Sequence, residues 1–261
     1  MSLQDRIATP EGKRRYVRAL FATIADRYDF ITIFLSYGQD RRWKRRLVDM
    51  AAPLSGSRAL DLATGTGDIA FALAARGAET IGLDITARMI ELARAKRDRG
   101  LLPPLASEVG ALRRGSPKRL RREGGAVEFL VGDMLALPFA DASFDLVTTG
   151  YGLRNVPNLE LAIREIGRVL KPGGRMLSLD FNRPSNVIVR AAYLTYLTAV
   201  GAALGWVLHR DPDTYRYIPA SIRQYPGAAA VVEMLAAHGF SRSRYVPVLG
   251  GLMAIHHAVR A

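Results

Sequence analysis

Residues 58–85, RALDLATGTGDIAFALAARGAETIGLDI, decide the fold. The run opens on a short apolar strand-like stretch, passes through Gly65 and Gly67, and enters an apolar helical stretch closed by Gly77. A second strand-like stretch, AETIGLDI, follows at once. A strand, a glycine turn, a helix and a strand make one crossover unit, and such units build parallel sheets covered on both faces.

The alternation continues outward. TARMIELARAKRD predicts a helix with Thr86 placed to cap it. AVEFLVGD and FDLVTTGY predict two further strands, and NLELAIREIGRVL an amphipathic helix with apolar residues at 159, 161, 163, 166, 169 and 170. KPGG reads as a turn before a fifth strand, RMLSLDF. AAAVVEMLAAHGF is a helix, and SRYVPVLGGLMAIHHAVR a closing pair of strands turned at Gly250-Gly251. Upstream, LVDMAAPL has a helical pattern. No internal repeat is visible.

In open sheets of this kind ligands sit beyond the carboxyl ends of the strands. The first strand there carries Asp61, the second ends in Asp84, and the third runs into Asp133. Only G-x-G remains of a dinucleotide fingerprint, because Ala70 stands at the third glycine position. A phosphate would be repelled by Asp61 and Asp68, whereas a cationic ligand would not. A sulfonium with an amino group, as in S-adenosylmethionine, suits these carboxylates. Gly65 and Gly67 would let backbone approach it, Asp84 would accept from both ribose hydroxyls, and Asp133 from an adenine amino group.

The chain has 261 residues, no cysteine and a formal charge of +13. Disulfides and thiolate metal sites are excluded, a reducing compartment fits, and no metal-ligand spacing appears. No secretory signal is visible in the first residues. Residues 94–123 hold ten Lys/Arg against three acids, a net of +7, with prolines and glycines among them. This reads as an exposed basic insertion, a solvated loop or a dock for anionic membrane. It lacks aromatics for base stacking, so nucleic acid is not the expected partner. Residues 191–208, AAYLTYLTAVGAALGWVL, carry no charge and reach the length of a spanning helix. They read as a cap over the ligand edge, with a buried core helix, self-association into a homo-oligomer or a true membrane span as the alternatives.

LDLATGTGD, GLDIT, GDMLALPFADASFDLV and VLKPGGRMLSLDF resemble the successive motifs of class I S-adenosylmethionine-dependent methyltransferases. YDFITIFLSYGQDRRWK (28–44), GLRNVPN (152–158), DTYRYIPASI (213–222) and GGLMAIHH (250–257) resemble the ubiquinone/menaquinone biosynthesis C-methyltransferases. Apart from the insertion, the resemblance covers nearly the whole chain. It implies an α/β, Rossmann-like fold with a seven-stranded, mostly parallel sheet and a helical cap. It divides one domain into an N-terminal helical cap (1–50), a cofactor core (51–182) with the basic insertion at about 97–126, a substrate cap (183–226) and a closing helix and strands (227–261). It implies methyl transfer from S-adenosylmethionine to a ring carbon of a polyprenylated quinol, the naphthoquinol of the menaquinone branch ahead of the benzoquinol of the ubiquinone branch. A cytoplasmic enzyme touching the inner face of the membrane would suit that substrate. Another lipid or small phenol as acceptor, or a basic binding module without catalysis, are the rival readings.

The resemblance also implies roles. Cofactor contacts fall on Tyr28, Asp61, Gly65, Thr66, Gly67, Asp84, Ile85, Asp133, Met134 and Gly150, the last where many relatives carry serine. Arg154 is the expected cation beside the quinol oxygen, with Asn155 bonding the same oxygen, and the alternative for Arg154 is pairing with an acid to brace its loop. Tyr215 and Arg216 are expected in the acceptor pocket. Asp40 stands where many relatives have histidine and receives no catalytic role. Of His256 and His257, one is expected in the core and the other toward solvent.

Overall fold

A computed structural model describes residues 3–36, 38–100 and 125–261. Most of the basic insertion therefore lies outside the described residues. The strands are β1 Arg58–Leu62, β2 Glu79–Asp84, β3 Val127–Val131, β4 Phe144–Gly150, β5 Leu170–Phe181, β6 Phe240–Val248 and β7 Met253–Arg260. They form one seven-stranded sheet in the order β3-β2-β1-β4-β5-β7-β6. The pairings among β1 to β5 are parallel, and β7 runs antiparallel between β5 and β6. The strand order reverses between β1 and β4, which opens a crevice at their carboxyl ends.

The helices are α1 Leu3–Arg6, α2 Pro10–Ile24, α3 Tyr28–Leu35, α4 Asp40–Met50, α5 Asp68–Ala75, α6 Ala87–Asp98, α7 Leu159–Val169, α8 Val187–His209, α9 Asp213–Gln224 and α10 Ala228–Ala237. Alternating strand residues feed two cores. Leu146 and Leu177 pack with Trp43, Leu47 and Leu73 of α4 and α5. Val147 and Met176 pack with Ile163, Ile166 and Val231 of α7 and α10. Both faces are thus covered, as the near-continuous apolar strands predict. Helices α1, α2, α3, α8 and α9 lie apart from these cores and share apolar clusters of their own.

Local details depart from the sequence reading for physical reasons. The helix expected to run through LVDMAAPL stops at Met50, because Pro53 disfavours helical backbone in the residue before it. KPGG is absorbed into β5 as a bulge, with Phe144 opposite Leu170 but Leu146 opposite Arg175. Thr86 stands at the N-cap of α6, as expected, but its side chain makes no cap bond. Instead its backbone N–H donates to Asp84 Oδ1 at 2.8 Å. α7 begins on Asn158, whose side chain accepts from Leu161 N at 2.9 Å.

Candidate active site

The glycine loop is shaped from behind. Gly67 sits at φ 93° at the start of α5. A Cβ there would come within 2.8 Å of Phe129 Cζ and 2.9 Å of Phe71 Cε2. The positive φ and the aromatic pair under the loop are each enough to require glycine here. Asp61 is buried in β1 and accepts from Thr64 Oγ1 and Thr148 Oγ1, each at 2.7 Å. Burial lifts its carboxyl to about pKa 6 against the pull of those two hydroxyls. Thr66 donates its hydroxyl to Asp29 Oδ1 at 2.6 Å. These three residues, expected as cofactor contacts, hold the loop in place and do not line the cleft in front of it.

The other seven expected cofactor residues come together. Tyr28, Gly65, Asp84, Ile85, Asp133, Met134 and Gly150 line a cleft of about 710 Å³ at the β1–β4 switch point. Asp84 accepts Gly65 N on one oxygen at 2.9 Å and Thr86 N on the other. Each oxygen keeps a free lone pair. Burial holds the Asp84 pKa above the usual carboxylate range despite these two donors. Asp133 accepts Leu135 N at 2.9 Å and pairs with Arg14 at 2.7 Å, which reaches across from the exposed side of α2. Asn155 also lines this cleft, its amide donating to Tyr151 O at 2.7 Å while its Oδ1 is buried with no partner. A buried acceptor left open is a place for a ligand donor.

A second cavity, about 1370 Å³, lies between α2, α3, α8 and α9 and is walled mainly by apolar and aromatic side chains. Phe21, Tyr28 and Tyr151 line both cavities and form the wall where the two meet. Tyr151 takes φ 61°, rare for an aromatic residue. It donates its hydroxyl to buried Asp40 at 2.6 Å. Asp40 in turn pairs with Lys44 at 2.7 Å, and Lys44 with Asp68 at 3.0 Å. Burial alone would lower the Lys44 pKa, but Asp68 and Asp40 drive it above its ordinary value. Burial also raises both phenols, Tyr28 to about 12 and Tyr151 well above 10. Both are neutral donors near pH 7.

Arg154 lies on this second cavity and is almost fully buried. One guanidinium nitrogen donates to Asp180 Oδ1 at 2.8 Å and to Tyr151 O at 3.0 Å, and its backbone N–H donates to Asp180 Oδ2 at 3.1 Å. The guanidinium sits 4.6 Å from the Phe181 ring centre. Its Nε is buried and has no hydrogen-bond partner among the described residues. Lys13 donates to the Arg154 carbonyl at 3.0 Å, and its own pKa falls to about 8 through burial and the Arg154 charge. Tyr217, one turn-face away on α9, lines the same cavity, and its buried hydroxyl is also unpartnered.

The two expected pocket residues separate. Tyr215 lines the cavity, but His209 occupies its hydroxyl at 2.9 Å. Arg216 is exposed on the other side of α9 and does not line the cavity. His256 faces the core, between Ser178 Oγ at 3.1 Å and Ala228 O at 3.2 Å, and burial lowers its pKa to about 4. His257 is half-exposed. The sequence reading missed Tyr151, Tyr217 and Asp180. Asp180 had a visible signal, since it ends a strand as Asp84 does.

A model of the ubiE/COQ5 methyltransferase family matches residues 9–103 and 108–260. The demethylmenaquinone methyltransferase of Thermus thermophilus is 40% identical over 240 residues, which span 91% of this chain and 98% of that protein. The ubiquinone/menaquinone biosynthesis C-methyltransferase UbiE of Azotobacter vinelandii is 35% identical over 258 residues, 97% and 93% of the two chains. Among solved structures, magnesium protoporphyrin IX methyltransferase from Synechocystis, with SAH bound, superposes with a TM-score of 0.59 at 20% identity, over 95% of this chain and 100% of that one. YcgJ of Bacillus subtilis gives 0.57 at 19% identity, over 84% and 98%. These two likenesses speak for the fold alone, and the sequence matches settle the rest: the chain belongs to the ubiE/COQ5 methyltransferase family.

Proposed function

We propose that the protein transfers a methyl group from S-adenosylmethionine to a ring carbon of a polyprenylated quinol, with demethylmenaquinol ahead of the benzoquinol. The observation that carries this reading is the meeting of two unlike cavities. An acid-lined cleft at the switch point shares the wall of Phe21, Tyr28 and Tyr151 with a larger apolar chamber.

The cleft fits the cofactor. Asp84 has spare acceptor capacity on both oxygens, and the orphaned Asn155 Oδ1 faces the same space. Tyr28, Gly65, Asp84, Ile85, Asp133, Met134, Gly150 and Asn155 would hold it. When bound, it supplies an electrophilic methyl group on a sulfonium.

The chain's own residues then prepare the acceptor. A phenol titrates near ~10 and is mostly neutral at pH 7, and its ring carbon is a weak nucleophile until that proton leaves. Arg154 supplies a fixed positive charge on the wall of the apolar chamber, with Nε free to donate. A cation there lowers the pKa of a quinol hydroxyl and stabilises the anion. Tyr217 presents a second free hydroxyl from α9 to the same chamber. Phe21, Tyr28 and Tyr151 orient the ring at the junction and exclude water, and orientation of this kind can supply several kcal/mol of the barrier. The apolar walls suit a prenyl tail, at about 0.8 kcal/mol per buried CH₂. Such a substrate places the enzyme in the cytoplasm at the inner face of an anionic membrane, to which the basic insertion would add attraction.

The test is incubation of the purified protein with methyl-labelled S-adenosylmethionine and a panel of reduced quinols, read by mass spectrometry. A label on a ring carbon of demethylmenaquinol is the expected result. Cofactor binding by calorimetry with no transfer to any quinol would defeat the acceptor assignment, and no cofactor binding would favour a binding module.

A further inference from the structure

The helix α8 is long and apolar enough to cross a membrane by length and composition. Its position argues against crossing. α8 lies along α9, with Gly201 and Gly205 letting the two backbones touch. A Cβ at Gly201 would stand 3.1 Å from Tyr215 O, and one at Gly205 2.4 Å from Asp211 O. Pulling α8 into a spanning position would strip this contact and uncover Tyr215.

Among the described residues, the opposite face of α8 is left exposed. Ile188 is 80% exposed, Val207 74% and Trp206 63%, and Val189 lies on the same face as Val207. Helix α3 continues it with exposed Phe30, Ile33 and Phe34. The two helices are joined by shared packing of Ile31 and Leu35 with Leu204 and Leu208. Arg27 also donates to Leu208 O at 2.6 Å. The mouth of the apolar chamber opens along this surface, where Tyr196 of α8 and Leu249 of the β6–β7 turn are both chamber lining and exposed. Single exposed apolar residues are ordinary, but a strip this long marks an interaction site.

Charge selects the partner. α8 contains no acidic residue; exposed Arg183 stands before its start, and Arg210 and Arg27 stand at its carboxyl end beside exposed Asp211 and Asp26, the latter already paired with Arg88. An apolar face bordered by arginines is the pattern of a helix lying in the plane of an anionic lipid interface. A second copy of the chain seated here would close over the mouth through which an isoprenoid tail must run, an argument that rests on the quinol reading above. We infer that the outer faces of α8 and α3, with Leu249, dock on an anionic bilayer and lay the chamber mouth against the lipid.

The chain supplies its own probe. It has two tryptophans, Trp43 buried and Trp206 on the proposed face. Vesicles of phosphatidylcholine with phosphatidylglycerol should move Trp206 emission to shorter wavelength, and brominated acyl chains should quench it. Ile188→Glu and Val207→Glu should each weaken vesicle partition about tenfold, the loss of one inserted aliphatic side chain. Both positions are exposed and line neither cavity, so melting and methylation of a short-tailed, water-soluble quinol should be unchanged. Vesicle binding without an emission change would place the contact elsewhere, on residues 101–124 for instance, and overturn the inference. So would equal partition by the two variants, or a light-scattering dimer that the variants dissociate with no vesicle binding by the parent. The vesicle readings need no quinol, so failure of methyl transfer would sink the acceptor assignment and leave them standing.

Discussion

Tyr217→Phe separates a binding role from a structural one by moving stability and catalysis in opposite directions. Tyr217 is 1% exposed and its hydroxyl has no partner. Burying an unpaired hydroxyl costs about 1–3 kcal/mol. Removing it from the ligand-free protein should therefore leave melting unchanged or raise it, at about 2–4 °C per kcal/mol for a chain near this size. With quinol bound, the same substitution deletes a donor to a developing anion. A hydrogen bond to a charged group contributes about 1.5–3 kcal/mol, so kcat/KM should fall roughly ten- to hundredfold. Cofactor affinity should not change, because Tyr217 does not line that cleft. The rising limb of the pH–rate profile should move to higher pH, since the quinolate loses a stabilising donor. Tyr215→Phe is the control, because its hydroxyl is already engaged by His209. The reasoning fails if Tyr217→Phe melts several degrees lower and turns over like the parent, the signature of a packing residue.

Arg154→Ala leaves Asp180 buried and uncompensated, so denaturant unfolding should show a loss of about 3–5 kcal/mol, with turnover lost and calorimetric cofactor affinity retained in the folded fraction. Gly67→Ala forces a side chain into positive φ and against Phe71 and Phe129, and should cost about 2–5 kcal/mol of unfolding free energy. Asp84→Asn should weaken cofactor binding about ten- to hundredfold by calorimetry, as charged-acceptor bonds become neutral ones. His256 titrates near 6.5 when unfolded and about 4 in the fold. The unfolded chain therefore binds its proton first, and this residue withdraws about 3 kcal/mol of stability as pH falls through that window. Asp61, raised to about 6, acts the other way, since the folded state takes up its proton first. In urea titrations between neutral pH and about pH 5, His256→Asn should be relatively more acid-resistant than the parent, and an unchanged pH slope would remove His256 from the account.

The sheet was legible because each strand is an apolar run ended by a turn signal, and parallel strands buried on both faces have little freedom to look otherwise. The strand-end positions of Asp84 and Asp133 were legible for the same reason, and both line the cleft, although Asp61 and Asp180 show that a strand-end acid can equally serve the structure. Thr66 and Gly67 show what a glycine turn leaves open in a sequence. A G-x-G turn says that backbone must bend, but not whether the crowding comes from a ligand or from Phe71 and Phe129 beneath it. The apolar chamber was hardest to see. It is assembled from α2, α3, α8 and α9, which meet only in three dimensions. Tyr215 and Tyr217 sit two residues apart, and sequence alone gives no ground for preferring Arg216 between them. Tyr151 was passed over because its strained backbone is a property of the loop, not of the residue type.

Bracing and chemistry, set against each other for Arg154, need not exclude one another under the proposed reaction. A buried ion pair is a poor way to stabilise a loop, because desolvating two charges costs about as much as their attraction returns. An apolar pair of similar volume would hold the loop after β4 at least as well. What the ion pair adds is a guanidinium already stripped of water, locked by Asp180, Tyr151 and Phe181, with Nε still open. A group held this way need not reorganise when negative charge develops beside it, which is where electrostatic catalysis gets most of its strength. Under the proposed reaction the salt bridge to Asp180 would then serve both to brace the loop and to hold the guanidinium in place for the developing anion.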